Sequence, residues 1–292
     1  MRNRIRVGTR QSPLALAQAQ ITIAKLQHQF PDTVFDLVPI ITQGDIDKTS
    51  PLSTIGGKGV FIKGLEQALL NNDIDIAVHS FKDITANLAS GLTLAGCLEP
   101  ESICDVLVLR DGLNSLRTDP LIYTGSLRRQ LFLKALYPSA TVLDIRGNLG
   151  SRLDKLDASD ADAIMVSEVG LIRLKIDRRI IKMNPDTFYP APGQGVIAFE
   201  IRDDDVDLYE GIQLISHLET WKQIQCELVL LKQIGFDCGV PMGMRTHCYE
   251  ECIRLFVAIG DAPLMLDFTI SFDRYESDLL EASSRLVKAL NG

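Results

Sequence analysis

The stretch Ile74-Asp75-Ile76-Ala77-Val78-His79-Ser80-Phe81-Lys82-Asp83 passes from a short apolar run directly into a polar pentapeptide. The run follows residues on which Phe61, Leu65, Ala68 and Leu69 share one helical face, and its length and branching predict a buried strand rather than more helix. A helix followed by a buried strand is half of a βα repeat. The polar residues then leave from the strand's carboxyl end, where open α/β sheets place their ligands. A lysine and an aspartate paired in a solvated turn would give the same five residues, so the pentapeptide alone assigns no site.

Working outward, the same alternation recurs. Ile5 to Thr9 reads as a strand, and Ser12-Pro13 opens a helix with a capping side chain and a first-position proline, with Leu16, Ala19, Ile23, Leu26 and Phe30 on its predicted buried face. Val34 to Ile41 is the next strand, and Gly56-Gly57-Lys58-Gly59 punctuates the chain. A second series comprises a strand at Val106 to Leu109, a helix at Ser126 to Tyr137, and strands at Val142 to Ile145 and Ala163 to Val166. Asp162-Ala163-Ile164-Met165-Val166 echoes Asp75-Ile76-Ala77-Val78, a match short enough for chance to produce. Tyr189-Pro190-Ala191-Pro192-Gly193-Gln194-Gly195 suits neither helix nor central strand and reads as a crossover into a strand at Val196 to Ile201. From about residue 218 the pattern becomes a helix, a Gly235 to Pro241 loop, two strands (Ile253 to Ile259, Met265 to Phe272) and a closing helix from Ser277 to Leu290. The expectation is an α/β protein of parallel βα units with a small α+β region at the end.

At 292 residues the chain is long enough for two or three cores, and no apolar run approaches the roughly 18 residues of a membrane span. The segment Met1 to Val7 is basic but lacks a signal peptide's apolar centre, so a cytoplasmic location is expected. Six cysteines are too few for a disulfide scaffold at this length. His247, Cys248 and Cys252 fit no paired metal-ligand spacing, and no metal is expected. The net charge of −8 argues against nucleic acid, yet Arg128, Arg129, Arg146, Arg152 and Arg173 fall close together in sequence. Brought together by the fold, they would receive small anions.

Three segments could carry that chemistry. Thr124-Gly125-Ser126-Leu127-Arg128-Arg129 places a capping serine before two arginines in the first turn of a helix, an end that favours anions and where a guanidinium fork matches a carboxylate. Surface arginines are the plain alternative. Arg146-Gly147-Asn148-Leu149-Gly150-Ser151-Arg152 leaves a strand through a glycine turn, either as an ordinary loop or as a second pair of cationic arms. Gly235-Phe236-Asp237-Cys238-Gly239-Val240-Pro241 presents a cysteine in a loop, as an exposed nucleophile or as an inert buried thiol.

Taken in order, these segments resemble the hydroxymethylbilane synthase (porphobilinogen deaminase) family over nearly the whole chain. Thr9-Arg10-Gln11-Ser12-Pro13-Leu14-Ala15, Gly56-Gly57-Lys58-Gly59, His79-Ser80-Phe81-Lys82-Asp83, Ser126-Leu127-Arg128-Arg129, Arg146-Gly147-Asn148, Gly193-Gln194-Gly195 and Cys238-Gly239-Val240-Pro241 are its collinear landmarks. The resemblance implies two lobes like those of type II periplasmic binding proteins plus a C-terminal domain. Domain 1 would be residues 1–96 and 196–216, domain 2 residues 101–190 and domain 3 residues 218–292. It implies a dipyrromethane cofactor held by a thioether to Cys238 and contacted by Lys82, Asp83, Thr124, Ser126, Arg128, Arg129 and Arg146. It further implies that Arg10, Ser12, Lys58, Arg146, Arg152, Arg173 and Gln194 bind substrate, and that Asp83 is the catalytic carboxylate. The partners would be porphobilinogen and the growing polypyrrole, with a monomer as the expected state.

Several positions depart from the family pattern. Thr54 and Gln43 stand where basic residues are common, Gly125 where serine is common, Glu168 at a usually small apolar position, and Gly239 in place of a glutamine. Glu101-Ser102-Ile103-Cys104-Asp105 replaces a segment that normally carries Pro-Arg before the aspartate, and Ile84-Thr85 follows Lys82-Asp83 where Val-Pro or Met-Pro is usual. A diverged paralogue that binds tetrapyrrole-like ligands with weak turnover is therefore the rival reading. A plain solute-binding module is a third, and it gives Cys238 no role.

Overall fold

In a computed structural model, residues 2–42, 59, 62–85, 87–235, 241–259 and 264–291 are described, those at 264, 290 and 291 by backbone alone. The chain divides into two compact units, residues 1–100 with 195–225, and residues 101–194 with 226–292.

The first unit is built on a five-stranded sheet. Its strands are β1 (Arg4–Arg10), β2 (Val34–Ile40), β3 (Ile76–Ser80), β4 (Leu92–Leu98) and, from after the crossover, β10 (Ile197–Arg202), in the order β2-β1-β3-β10-β4. β1 lies parallel to β2 and β3, whereas β10 runs antiparallel to β3 and β4. The sheet is thus mixed rather than wholly parallel, because the strand returning from the crossover enters from the opposite end. Alternate residues of β3 serve two cores: Ile76 and Val78 pack with Ala19 and Leu26, and Ala77 packs with Leu65, Leu69 and Ile74. The helices supplying these are α1 (Pro13–Gln29) and α2 (Lys63–Leu70). On α1 the buried residues include Gln18 and Thr22, while Leu16 and Ile23 are only half-buried. The expected face does pack, with Ala19 and Leu26 in the core and Ile23 and Phe30 against it, but it also takes in Gln18, which reaches Ser80 (2.8 Å), and Thr22, which bonds back to the Gln18 carbonyl (3.0 Å), so both polar side chains are satisfied inside.

The second unit repeats the plan. Its elements are β5 (Asp105–Leu109), β6 (Leu121–Tyr123), α3 (Leu127–Leu136), β7 (Thr141–Leu143), α4 (Leu149–Asp157), β8 (Ala163–Ser167), α5 (Glu168–Leu174) and β9 (Ile180–Lys182). The sheet order is β7-β6-β8-β5-β9, with β6 parallel to β7 and β8, and β5 antiparallel to β8 and β9. Strand for strand this is the arrangement of the first sheet, with β8 standing where β3 stands. The acids that precede those two strands do the same work. Asp75 accepts the Arg6 backbone N–H (2.9 Å) and the Arg6 guanidinium, and Asp162 accepts the Leu121 N–H (2.7 Å) and the Arg117 guanidinium. The short sequence echo between them therefore reflects repeated architecture.

The remaining elements are α6 (Val206–Gln213), α7 (Leu218–Gln233), β11 (Met242–Cys248), β12 (Cys252–Ile259), β13 (Leu264–Ser271) and α8 (Tyr275–Asn291). The last three strands form an antiparallel sheet in that order. Sequence reading expected two strands here. β11 escaped it because Gly243, Arg245 and His247 break the apolar pattern. A Cβ on Gly243 would stand 2.8 Å from the Tyr189 Cβ and 2.9 Å from its carbonyl oxygen, so the glycine permits a close approach of strand and crossover. The fold class is α/β with a small α+β region at the C-terminal end, as expected.

Candidate active site

In the first unit the expected site residues gather at the carboxyl ends of β1 and β3. Gly8 pairs with Ala77, so Arg10, the last residue of β1, stands level with His79 one strand away, about 4.8 Å in a sheet. Ser12 caps α1, its Oγ accepting the Ala15 N–H at 3.3 Å, and Thr9 ties the strand end to the helix by donating to the Ala15 carbonyl at 3.1 Å. Beyond Ser80 a single 3₁₀ turn, Phe81–Asp83, carries Lys82 and Asp83. Two contacts fix that turn: buried Phe81 donates its N–H to the Val196 carbonyl (3.0 Å), and Ile84 N–H closes back on the Phe81 carbonyl (2.9 Å). Buried His79 bonds Glu200 through Nε2 at 2.9 Å beneath it. The Asp83 carboxylate is half-buried and has no hydrogen-bond or ion-pair partner among the described residues. A carboxylate held on a rigid turn without a cation of its own is placed to receive a ligand's N–H.

The second unit offers cations at the matching edge. Thr124 follows β6, Arg146 follows β7, and Asp105 at the start of antiparallel β5 pairs with Ser167 at the end of β8. Ser126 caps α3 through the Arg129 N–H (3.4 Å), and the buried Thr124 Oγ1 accepts the Ser126 N–H (3.3 Å). Arg128 and Arg129 occupy the first helical turn, where cations are unfavourable unless an anion offsets them. Asp105 supplies it: Arg128 Nη1 lies 2.7 Å from Oδ2, and Arg129 Nε and Nη2 lie 2.9 and 2.8 Å from Oδ1. Burial would push the Asp105 carboxyl up, but the two guanidinium charges and their hydrogen bonds outweigh it and hold its pKa at about 2. Gln194 completes the network, donating to the Ile103 carbonyl (2.7 Å) and to Asp105 (3.2 Å) while accepting from Arg128 (3.4 Å). Sequence reading named Arg128, Arg129 and Gln194 but not Asp105, whose position just ahead of an apolar strand was the available signal.

Arg146 and Arg152 differ from that pair. Arg146 has a loose contact with exposed Asp144 (3.9 Å), and among the described residues Arg152 has only the Asn148 carbonyl at 3.4 Å. Burial, together with the charge of nearby Arg129, pushes the Arg152 pKa down to about 10, the mark of a cation without a carboxylate. Arg173, on α5, is paired with Glu101 through Nη2 (2.6 Å) and Nε (3.1 Å). Glu168, one of the departures from the family pattern, is neutralised by Lys182 (2.7 Å) and accepts from the Ser102 hydroxyl (2.5 Å), and these bonds outweigh burial and lower its pKa. At Gly125 a Cβ would stand 2.5 Å from Asp144 Oδ1, so this glycine and that aspartate go together. Lys58 and Cys238, with Gln43, Thr54 and Gly239, lie outside the described residues.

At the carboxyl edge of the first sheet a carboxylate suits a ligand's N–H groups, and at that of the second sheet guanidinium groups suit a ligand's acids. Residues 5–210 match the family model described as "Porphobilinogen deaminase, dipyromethane cofactor binding domain". The chain belongs to that family. Among solved structures, an ancestral cationic amino acid solute binding protein is 16% identical over 77% of this chain and 91% of its own, with a TM-score of 0.44. A Salmonella typhimurium periplasmic binding protein with high arginine specificity is 13% identical over 77% and 99%, with a TM-score of 0.40. A putative L-cystine ABC transporter from Listeria monocytogenes is 14% identical over 78% and 96%, at 0.41. Among the described residues no helix is long and apolar enough to cross a membrane, and no group of three metal-ligating side chains is placed to hold an ion.

Proposed function

We propose that the chain is a hydroxymethylbilane synthase, condensing four porphobilinogen molecules onto a covalent dipyrromethane and releasing linear hydroxymethylbilane by hydrolysis. The observation that carries this reading is the half-buried Asp83 carboxylate, unpartnered among the described residues, in a chain of this family. We assign the thioether to Cys238 in a C-terminal domain of residues 218–292, with domain 1 at 1–96 and 196–216 and domain 2 at 101–190. The protein would act as a monomer in the cytoplasm, on porphobilinogen and the polypyrrole it becomes, without a nucleic-acid or membrane partner.

The cofactor fits the residues present, because among the described residues Arg152 bonds no carboxylate and Arg146 meets only Asp144 at 3.9 Å, while Arg129 gives Nε and Nη2 to Asp105. When bound, the dipyrromethane supplies a free pyrrole α-carbon as nucleophile. Lys82, Thr124, Ser126, Arg128, Arg129 and Arg146 would hold its acetate and propionate groups. Arg10, Ser12, Lys58, Arg146, Arg152, Arg173 and Gln194 would orient those of the substrate.

Porphobilinogen loses its aminomethyl nitrogen as ammonia, leaving a methylenepyrrolenine whose positive charge rests on the ring nitrogen. Asp83 accepts that ring's N–H and stabilises the charge. A pair about 4 Å apart gains roughly 4 kcal/mol at an effective dielectric near 20, before the cost of desolvating the carboxylate. With the cofactor bound, Asp83 would relay the proton released from that α-carbon once the carbon–carbon bond has formed. Incubation of the purified protein with porphobilinogen, with the bilane followed by absorbance after oxidation, tests the activity. Product formation supports the reading, and its absence in a protein carrying the adduct favours the diverged, weakly active paralogue. The Glu101 to Arg173 pair is the observation on that side.

A further inference from the structure

Arg173 is nearly closed to solvent, its side chain 1% exposed, whereas the Glu101 carboxylate that grips it is 37% exposed. The outer member of the pair is therefore the acid, on the side from which a ligand would come. It meets the guanidinium at both Nε and Nη2, the two-point geometry that a ligand carboxylate would use.

The segment bearing Glu101 is clamped to α5. Ser102 donates to Glu168 (2.5 Å), the Glu168 backbone N–H donates to the Cys104 carbonyl (3.0 Å), and Lys182 holds Glu168 from the other side (2.7 Å). A carboxylate fixed in this way competes at high effective concentration against any free one. We propose that Glu101 is a built-in competitor for substrate carboxylates at Arg173, a specificity residue that lowers the chain's affinity for porphobilinogen. The inference rests on the proposed function, in which Arg173 binds substrate.

The test compares the full-length protein with its Glu101→Gln variant, each first checked by intact mass for the dipyrromethane adduct. Glu101→Gln is expected to lower the KM for porphobilinogen about tenfold or more, the order of one charge-assisted hydrogen bond, with kcat within about twofold. A gain in binding is an effect that loss of a merely structural ion pair would not produce. Adding Arg173→Gln to Glu101→Gln should abolish the gain. Should Glu101→Gln fail to fold, Glu101→Asp keeps the charge but shortens the arm, and a gain of about two- to threefold is expected. An adduct-bearing variant with unchanged or raised KM overturns the inference alone. A chain without adduct overturns the proposed function and the inference with it.

Discussion

Asp83 and Asp105 show how neighbours set the work of a carboxylate. Asp83 is left without a cation on a fixed turn, and Asp105 is buried between two guanidinium groups. Asp83→Asn is expected to cut bilane formation by two orders of magnitude or more while moving the unfolding midpoint little, since the side chain bonds none of the described residues. A variant with normal turnover would remove Asp83 from the mechanism. Asp105→Asn should do the reverse, costing about 3 to 5 kcal/mol in urea unfolding because two arginines lose their buried counter-charge. A loss under about 1 kcal/mol would contradict the network. The Asp105 carboxyl has a lowered pKa in the fold, so its stabilisation is present above the unfolded value of about 3.9 and is lost as pH falls through about 2.

Between elements, the crossover is fastened to the C-terminal part of its unit by Glu227 of α7. Its Oε2 accepts the Gly193 N–H at 2.7 Å, and its Oε1 accepts the Thr246 hydroxyl of β11. Burial pushes the Glu227 carboxyl up to about 7 against both bonds. A raised carboxyl pKa reverses the Asp105 sign: the contribution is complete below the unfolded value of about 4.3 and is lost as pH rises through about 7. Glu227→Gln, whose Oε1 can still accept the Gly193 N–H while its Nε2 donates to the Thr246 hydroxyl oxygen, as a protonated carboxyl would, should therefore match the parent near pH 5 and be the more stable of the two at pH 8 by thermal melting. Equal pH profiles would refute a charged, buried Glu227. Gly243→Ala tests the close approach of β11 to Tyr189 and is expected to destabilise by about 1 to 3 kcal/mol, because a backbone carbonyl must yield. No change would mean that the approach is looser than 2.8 Å.

Over the whole molecule, most of the βα repeats could be read in the sequence, because β3 and β8 are short apolar runs and Ser12 and Ser126 announce their helices. What could not be read was direction and partnership. Nothing local in Ile197–Arg202 or Asp105–Leu109 says that each runs antiparallel to its neighbours, since that depends on where a crossover re-enters a sheet. Arg128 and Arg129 could be picked out as a pair, yet their common partner Asp105 lies 23 and 24 residues away and shows itself only in three dimensions. Arg173 likewise gave no sign of Glu101, 72 residues distant. The central claim is that this family member carries its primer on Cys238 and extends it. Intact mass spectrometry of the purified protein measures this most directly. The expected result is a dipyrromethane adduct on the chain that is absent from Cys238→Ser and grows by pyrrole units when porphobilinogen is added. An unmodified chain that still forms bilane, or an adduct that survives in Cys238→Ser, would contradict it.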